Sequence, residues 1–121
     1  MRGEIKIEKY EDATVIHLAG LFSSVEEPDV TEELRETIKK LVADGEKKIL
    51  IDFKFVELFA SNAIGALTTG HSTATNAGGR IVPFNIPSYI KKGFEIVGLV
   101  ALFPLCDTIE EAKAYADKHV K

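Results

Sequence analysis

The fold of this chain is decided by the stretch Ile49–Leu67, which reads ILIDFKFVELFASNAIGAL. Its start, Ile49–Phe53, is a short apolar run of β-favouring residues, the pattern of a strand buried on both faces. We expect Lys54–Phe59 to be a short connection. Ser61 and Asn62 are then candidate N-caps of a helix, because each side chain has an oxygen that can accept from free N–H groups of a first turn. The stretch predicts half of a βαβ unit, in which binding groups collect beyond the carboxyl end of the strand.

Upstream of this stretch, the sequence predicts two strands and a helix. Glu4–Tyr10 alternates apolar and charged residues, and Thr14–Ala19 is a second strand that we expect to pair with the first as a hairpin. Leu21–Pro28 has the composition of a loop. Asp29–Asp44 has apolar residues at helical spacing, which places them on one stripe of a helix, and Asp29 with Glu32 could form a capping box at its start. That stripe consists of Val30, Leu34, Ile38, Leu41 and Val42.

Downstream, helices and strands alternate along the chain. The predicted elements are, in order, a helix over Ser61–Ala77, a strand over Arg80–Phe84, a helix from Pro87 to about Val97, a short edge strand over Leu102–Leu105, and a final helix capped by Thr108 with Glu111. This alternation predicts an α/β fold with a mostly parallel central sheet of about five strands and about four helices. With 121 residues, we expect one domain over residues 1–121.

Composition narrows the class of protein. A net charge of −4 gives no basic footprint for nucleic acid. The single cysteine, Cys106, favours a reducing compartment, and the charged, alternating N-terminus does not have the pattern of a signal peptide. Leu58–Gly79 lacks charged residues but contains too many Ser, Thr, Asn and Gly residues to cross a bilayer. We therefore expect a soluble cytoplasmic domain that binds neither nucleic acid nor membrane.

The residues argue against an enzyme. A serine nucleophile at Ser61 needs a base within hydrogen-bond reach, and His71 would lie about 15 Å further along the same helix. His17 falls in a strand and His119 near the C-terminus, so only tertiary proximity, which is left open here, could supply a base. Gly65–Ser72 nearly spells a phosphate-binding loop, but it falls inside the predicted helix. No residues have metal-ligand spacing, so we expect no catalytic residue, metal or cofactor.

Two interpretations of Ser61 are open at this stage. Its hydroxyl could serve as a helix N-cap contributing about 1 kcal/mol. It could also be a phosphorylation site, because a phosphate adds about −1.5 to −2 charges and a helix N-terminus stabilises an anion. In an uncharged segment, such a dianion would dominate the local potential and could abolish docking on an apolar partner surface.

The same residues resemble the STAS domain family, of the bacterial anti-sigma-factor antagonist type. That family has an apolar strand ending in Asp, a short loop, and Asp-Ser-Ser-Gly-Leu-Gly at the start of a helix. This chain has Ile49–Asp52 and then Ala60-Ser61-Asn62-Ala63-Ile64-Gly65. Asn76–Val82 and Ile90–Leu99 are similar to later family segments. Ala60, Asn62 and Ala63 depart from the family's Asp, second Ser and Gly.

The resemblance implies a non-catalytic cytoplasmic regulator that binds a partner-switching serine kinase, itself an anti-sigma factor. The kinase would inactivate the antagonist by phosphorylating Ser61, the first serine of the signature, and a phosphatase would reverse this. The expected partner-binding residues lie in the Phe59–Leu67 turn and the Leu21–Val25 loop: Phe22, Ser23, Ser24, Phe59, Ala60, Ser61, Asn62, Ala63, Ile64 and Gly65. The alternative is a STAS-fold scaffold or small-ligand-binding protein that has lost the switch. A homodimer is also left open.

Overall fold

Four strands form one sheet in the part of the chain that a computed structural model describes, residues 2–24 and 29–120. They are β1 (Glu4–Tyr10), β2 (Ala13–Phe22), β3 (Lys48–Phe59) and β4 (Arg80–Phe84). The helices are α1 (Val30–Ala43), α2 (Ser61–Asn76), α3 (Ser88–Ile96) and α4 (Ile109–His119), with a 3₁₀ turn at Leu99–Ala101.

The strand order is β1-β2-β3-β4. β1 and β2 form the predicted antiparallel hairpin, whereas β3 lies parallel to both β2 and β4. Strand and helix alternate from β3 to α3, as the apolar runs and helical stripes predicted. The α/β fold class and the mostly parallel sheet are confirmed.

Two apolar layers cover the two faces of the sheet. On one face, Ile16, Ile51 and Phe53 pack with the α1 stripe, whose Val30, Leu34 and Ile38 are buried, and with α2 and α3. On the other face, residues of β2, β3 and β4 pack against α4: Val15, Leu50, Val82, Phe84, Ala112 and Ala116. Ile49–Phe53 is apolar at every position except Asp52 because both faces of the strand are covered there, and the buried Asp52 carboxylate lies 2.8 Å from His17 Nδ1.

The Lys54–Phe59 prediction was wrong, because these residues continue β3 instead of forming a connection. Val56 and Phe59 point into the core while Phe55 and Leu58 are exposed, so this half of the strand has only one buried face. β2 is also longer than predicted and continues through Leu21 and Phe22 to pair with it. Of the predicted Leu21–Pro28 loop, residues 25–28, including Val25, lie outside the described residues.

The predicted strand at Leu102–Leu105 was also wrong. Gly98, at φ 78°, leads into the 3₁₀ turn, and Pro104 has no N–H to give to a ladder, so pairing is reduced to one bridge between Phe84 and Cys106. Both predicted helix starts at Asp29 and Thr108 have a side-chain cap. Thr108 and Glu111 form the predicted capping box. The Asp29 side chain caps α1 by accepting from the N–H groups of Thr31 and Glu32, but the Glu32 side chain accepts from Arg35 and does not complete the predicted box.

Candidate functional site

Ser61 is the first residue of α2 and lies exposed at the carboxyl end of β3. The N-cap position belongs to Ala60, so the prediction that Ser61 or Asn62 caps the helix was wrong. Ala60 has no oxygen to offer, no side chain caps the helix, and the first turn contains no acidic residue. The positive end of the helix dipole and the leading N–H groups are therefore uncompensated beside the Ser61 hydroxyl.

The turn before Ser61 is held by the sheet and by aromatic rings. The Ala60 N–H donates to the Phe22 carbonyl at 2.9 Å, which ties the start of α2 to the end of β2. Below it, the Phe59 ring lies 5.9 Å from Phe22, 5.1 Å from Phe53 and 5.9 Å from Phe94, measured between centroids. Edge-on and tilted contacts of this kind stabilise beyond buried area alone. The backbone beneath Ser61 is thus rigidly supported.

A polar network joins α2 to the loop before α1. The Asn62 amide donates to Ser24 Oγ at 2.6 Å, and Ser24 Oγ donates to Asp29 Oδ1 at 3.1 Å. Thr31 Oγ1 lies 2.9 Å from Ser24 Oγ and donates to the same Asp29 oxygen at 2.7 Å. The Thr31 hydroxyl, followed by Ser24 and the backbone N–H groups, lowers the pKa of Asp29 although partial desolvation opposes this. Asp29 therefore stays ionised beside the site.

The structure divides the predicted partner-binding residues into two groups. Phe22, Phe59 and Ala63 are buried in the core, so their side chains support this surface from beneath and do not face a partner. The others reach the surface at one end of the sheet. Ser61, Asn62 and Gly65 are exposed, and Ser23, Ser24, Ala60 and Ile64 are half-buried.

A cleft beside this surface adds residues that the sequence analysis missed. It has a volume of about 140 Å³ and lies between α2, α3 and the end of β3. Leu58 (46% exposed) and Tyr89 (59% exposed) form its outer wall, and Ile64 and Phe94 also line it. Tyr89 Oη donates to the Val56 carbonyl at 2.7 Å, which fixes the ring. Extending β3 to Phe59 would have revealed Leu58, since it alternates with buried Phe59.

The histidines are not placed to activate Ser61. His17 Nδ1 lies 2.8 Å from Asp52 Oδ2 and its Nε2 lies 2.8 Å from Glu8 Oε1, so both ring nitrogens are engaged elsewhere. His71 lies within α2, packs edge-on against Phe103, and its buried Nδ1 has no partner among the described residues. The Ser61 hydroxyl has no hydrogen bond within residues 2–24 and 29–120.

Two further features of the described ranges bear on function. No group of three or more His, Cys, Asp or Glu side chains in these ranges could hold a metal ion. In the same ranges, no helix combines the length and apolarity that a membrane crossing needs.

A sequence model of the STAS domain matches residues 4–112. The chain belongs to the STAS domain family. The site at Ser61 is therefore the end of β3 and the start of α2 of a STAS domain. Among curated proteins, the sequence has no match.

Solved structures with this fold include several anti-sigma factor antagonists. One from Mycobacterium paratuberculosis has 21% identity and a TM-score of 0.81, covering 96% of this chain and 95% of the other. The Bacillus cell fate determinant SpoIIAA in its phosphorylated form has 21% identity and a TM-score of 0.70, covering 93% and 98%. An anti-sigma-factor antagonist (STAS) domain protein from Planctomyces limnophilus has 23% identity and a TM-score of 0.73, covering 93% and 97%. At these identities the likeness establishes the fold.

Proposed function

We propose that this STAS domain is a non-catalytic regulator that binds a partner-switching serine kinase, itself an anti-sigma factor, and releases it when Ser61 is phosphorylated. The observation that carries the proposal is the state of Ser61. Its hydroxyl is exposed and free of hydrogen bonds to described residues, and it stands where the family signature has its first serine. A kinase can reach such a hydroxyl without unfolding the helix.

The local electrostatics support retention of a phosphate. The first turn of α2 has no acidic residue and no side-chain cap, so its N–H groups favour an anion on Ser61. A phosphate would also add charge next to the apolar wall formed by Leu58, Ile64 and Tyr89. A partner that buries this wall would have to desolvate a dianion, which is strongly unfavourable. Phosphorylation would therefore oppose docking by charge, and a phosphatase would restore docking.

The proposal assigns the partner contact to the exposed part of the site. Ser61, Asn62 and Gly65 would touch the kinase together with the accessible parts of Ser24 and Ile64, while the Phe22–Phe59 pair supports them. Both ring nitrogens of His17 are engaged by carboxylates, and His71 lies about 15 Å further along α2 than Ser61, which is why the proposal is a binding function and not catalysis. The proposal places the chain in the cytoplasm, and a single cysteine, Cys106, is compatible with such a reducing compartment.

The decisive experiment has two arms. Phosphopeptide mass spectrometry on the protein from its own cells, during growth and under stress, should find phosphate on Ser61 that changes with condition. With the kinase partner in hand, Ser61→Asp should weaken binding at least about tenfold, whereas Ser72→Asp, about 16 Å further along α2, should leave it unchanged. A well-covered Ser61 peptide that is never modified would refute the switch.

A second candidate function, small-ligand binding, has one observation in its favour. A groove of about 290 Å³ lies on the β1–β3 side of the sheet, near Lys6, His17 and Ala19. Phe55, which is 65% exposed, forms one wall. If Ser61 is never phosphorylated, thermal-shift screening with Phe55→Ala as the control tests this function: a ligand of this groove stabilises the wild type but not the variant.

A further inference from the structure

The two edges of the sheet are built differently. The β4 edge is five residues long, contains Pro83, and already meets Cys106 through a bridge at Phe84. Proline and an occupying segment both prevent further strand addition. The β1 edge has neither feature. It is seven residues long and pairs with β2 in unbroken register from Glu4–Ala19 to Tyr10–Ala13, with no strand on its outer side among the described residues.

The side chains of this open edge alternate between the two faces of the sheet. Glu4, Lys6 and Glu8 alternate on one face, and Ile5 and Ile7 point to the other. Ile5 packs against the core, but Ile7, in the middle of the strand, is 48% exposed. A long, regular edge strand is a template for pairing with another strand, and charged residues on such an edge restrict the pairing to a strand of complementary charge.

Symmetry limits how two copies of β1 can pair. Residues that face each other in an antiparallel pair point to the same side of the sheet. If a two-fold axis perpendicular to the sheet relates the two strands, one residue must therefore face its own copy, and we name each axis by that residue. An axis through Lys6 places Lys6 opposite its own copy and Glu4 opposite Glu8. An axis through Glu8 places Glu8 opposite its own copy. Both registers oppose like charges and leave the strand only partly paired. An axis through Ile5 places Glu4 opposite Lys6, but it pairs only residues 4–6 of β1 with each other.

An axis through Ile7 gives the opposite result. Every residue of β1 then has a partner: Glu4 of one copy faces Tyr10 of the other, and Ile7 faces its own copy. Lys6 of each copy then faces Glu8 of the other, which makes two opposite-charge pairs. We propose that the chain forms a two-fold symmetric homodimer in which the β1 strands pair about Ile7 and join the two sheets into one. Because this contact uses the open edge of both copies and the β4 edge is blocked, the assembly closes as a dimer.

The dimer is tested by sedimentation equilibrium on the full chain. The wild type should dimerise. Lys6→Glu should weaken the dimer about tenfold or more, because both opposite-charge pairs become like-charge pairs. Lys6→Glu combined with Glu8→Lys should restore it, and Glu8→Lys alone, which also loses the His17 contact, should weaken the dimer as Lys6→Glu does. Lys39→Glu, the same charge change on exposed α1, is the matched control and should have no effect. A wild type that stays monomeric at the highest attainable concentration overturns the proposal.

A second measurement reads the register directly and does not depend on charge. In a Cys106→Ser background, Ile7→Cys places two thiols opposite each other across the axis, so mild oxidation should give a covalent dimer. Lys9→Cys is the control, because Lys9 faces Ile5 in this register and should not cross-link. Equal cross-linking of both variants, or cross-linking of Lys9→Cys alone, would refute the register. Neither measurement involves Ser61, so its outcome is independent of the proposed kinase switch.

Discussion

At the residue scale, the surroundings of His71 and His17 shift their pKa values in opposite directions. His71 is partly buried on α2, and burial, assisted by the Arg80 charge, lowers its pKa. Burial also acts to lower the pKa of His17, but the hydrogen bonds and charges of Glu8 and Asp52 outweigh it, so the pKa lies above the ordinary value of 6.5. The folded state therefore favours a neutral His71 and a protonated His17.

The raised pKa of His17 gives a signed prediction for stability. A group whose pKa is higher in the folded state stabilises the fold below its unfolded pKa, and this contribution is lost as pH rises through the folded pKa. The free energy of unfolding, from urea titration, should therefore differ more between wild type and His17→Gln at about pH 6 than at about pH 9. All other titratable residues are the same in the wild type and in His17→Gln, so the difference between the two proteins reports on His17 and its contacts.

Glu8→Gln provides the comparison for this prediction. It removes one of the two negative partners of His17 and leaves Asp52 in place. The His17 contribution to the free energy of unfolding should therefore change less between about pH 6 and about pH 9 in Glu8→Gln than in the wild type. A difference between wild type and His17→Gln that is constant or grows toward alkaline pH would contradict the assignment.

At the scale of elements, close backbone contacts set how strands and helices meet. Gly79 lies between α2 and β4, where an added Cβ would come within 2.6 Å of the Lys47 carbonyl oxygen. Gly65, in the first turns of α2, has open space around the same position. Gly79 therefore has a steric reason to lack a side chain, whereas Gly65 has none.

We expect opposite effects from the same substitution at these two positions. Gly79→Ala should destabilise the domain by about 1–3 kcal/mol, because backbone atoms have to move. Gly65→Ala should stabilise it by about 0.5–1 kcal/mol, because alanine is the better helix former. Urea unfolding of both variants checks this, and a neutral Gly79→Ala would show that the Lys47 contact relaxes freely. If Gly65→Ala nevertheless weakens kinase binding, Gly65 contacts the partner.

The sequence predicted those element boundaries that depend on contacts between neighbouring residues. Asp29 and Thr108 placed two helix starts because a cap acts on the N–H groups next to it. The second half of β3 could not be predicted, since Phe55–Phe59 become a strand only by pairing with β2. The position of Ser61 followed from the sequence, but the Asn62–Ser24 hydrogen bond joins segments far apart in sequence and required the fold.

At the scale of the whole molecule, a network of ion pairs connects α4 to the sheet. Lys113 Nζ lies 2.8 Å from Asp12 Oδ1 in the hairpin turn and 2.6 Å from Asp117 Oδ1. Lys48 Nζ, at the start of β3, reaches the same two carboxylates at 2.6 and 2.7 Å. The hydrogen bonds with Asp117 and Asp12 raise the pKa of Lys113, and those with Lys113 and Lys48 lower the pKa of Asp12.

Removing one cation from this group should loosen the α4 contact. Lys113→Met keeps the aliphatic stem but leaves Asp12 and Asp117 sharing only Lys48, so the melting temperature should fall. Lys118→Met, exposed on the same helix, is the control and should change it little. Added salt should narrow the gap between the two variants, since it screens the unbalanced carboxylates. Equal melting temperatures at low salt would contradict this role.

The aromatic rings beneath Ser61 have a consequence for signalling. Phe22, Phe53, Phe59 and Phe94 lock together directly under the turn, and the Ala60 N–H is bound to β2. A covalent change at the surface therefore has no flexible layer through which to reach the far side of the domain. A partner that responds to modification of Ser61 therefore has to bind at this end of the sheet, at the modified residue itself.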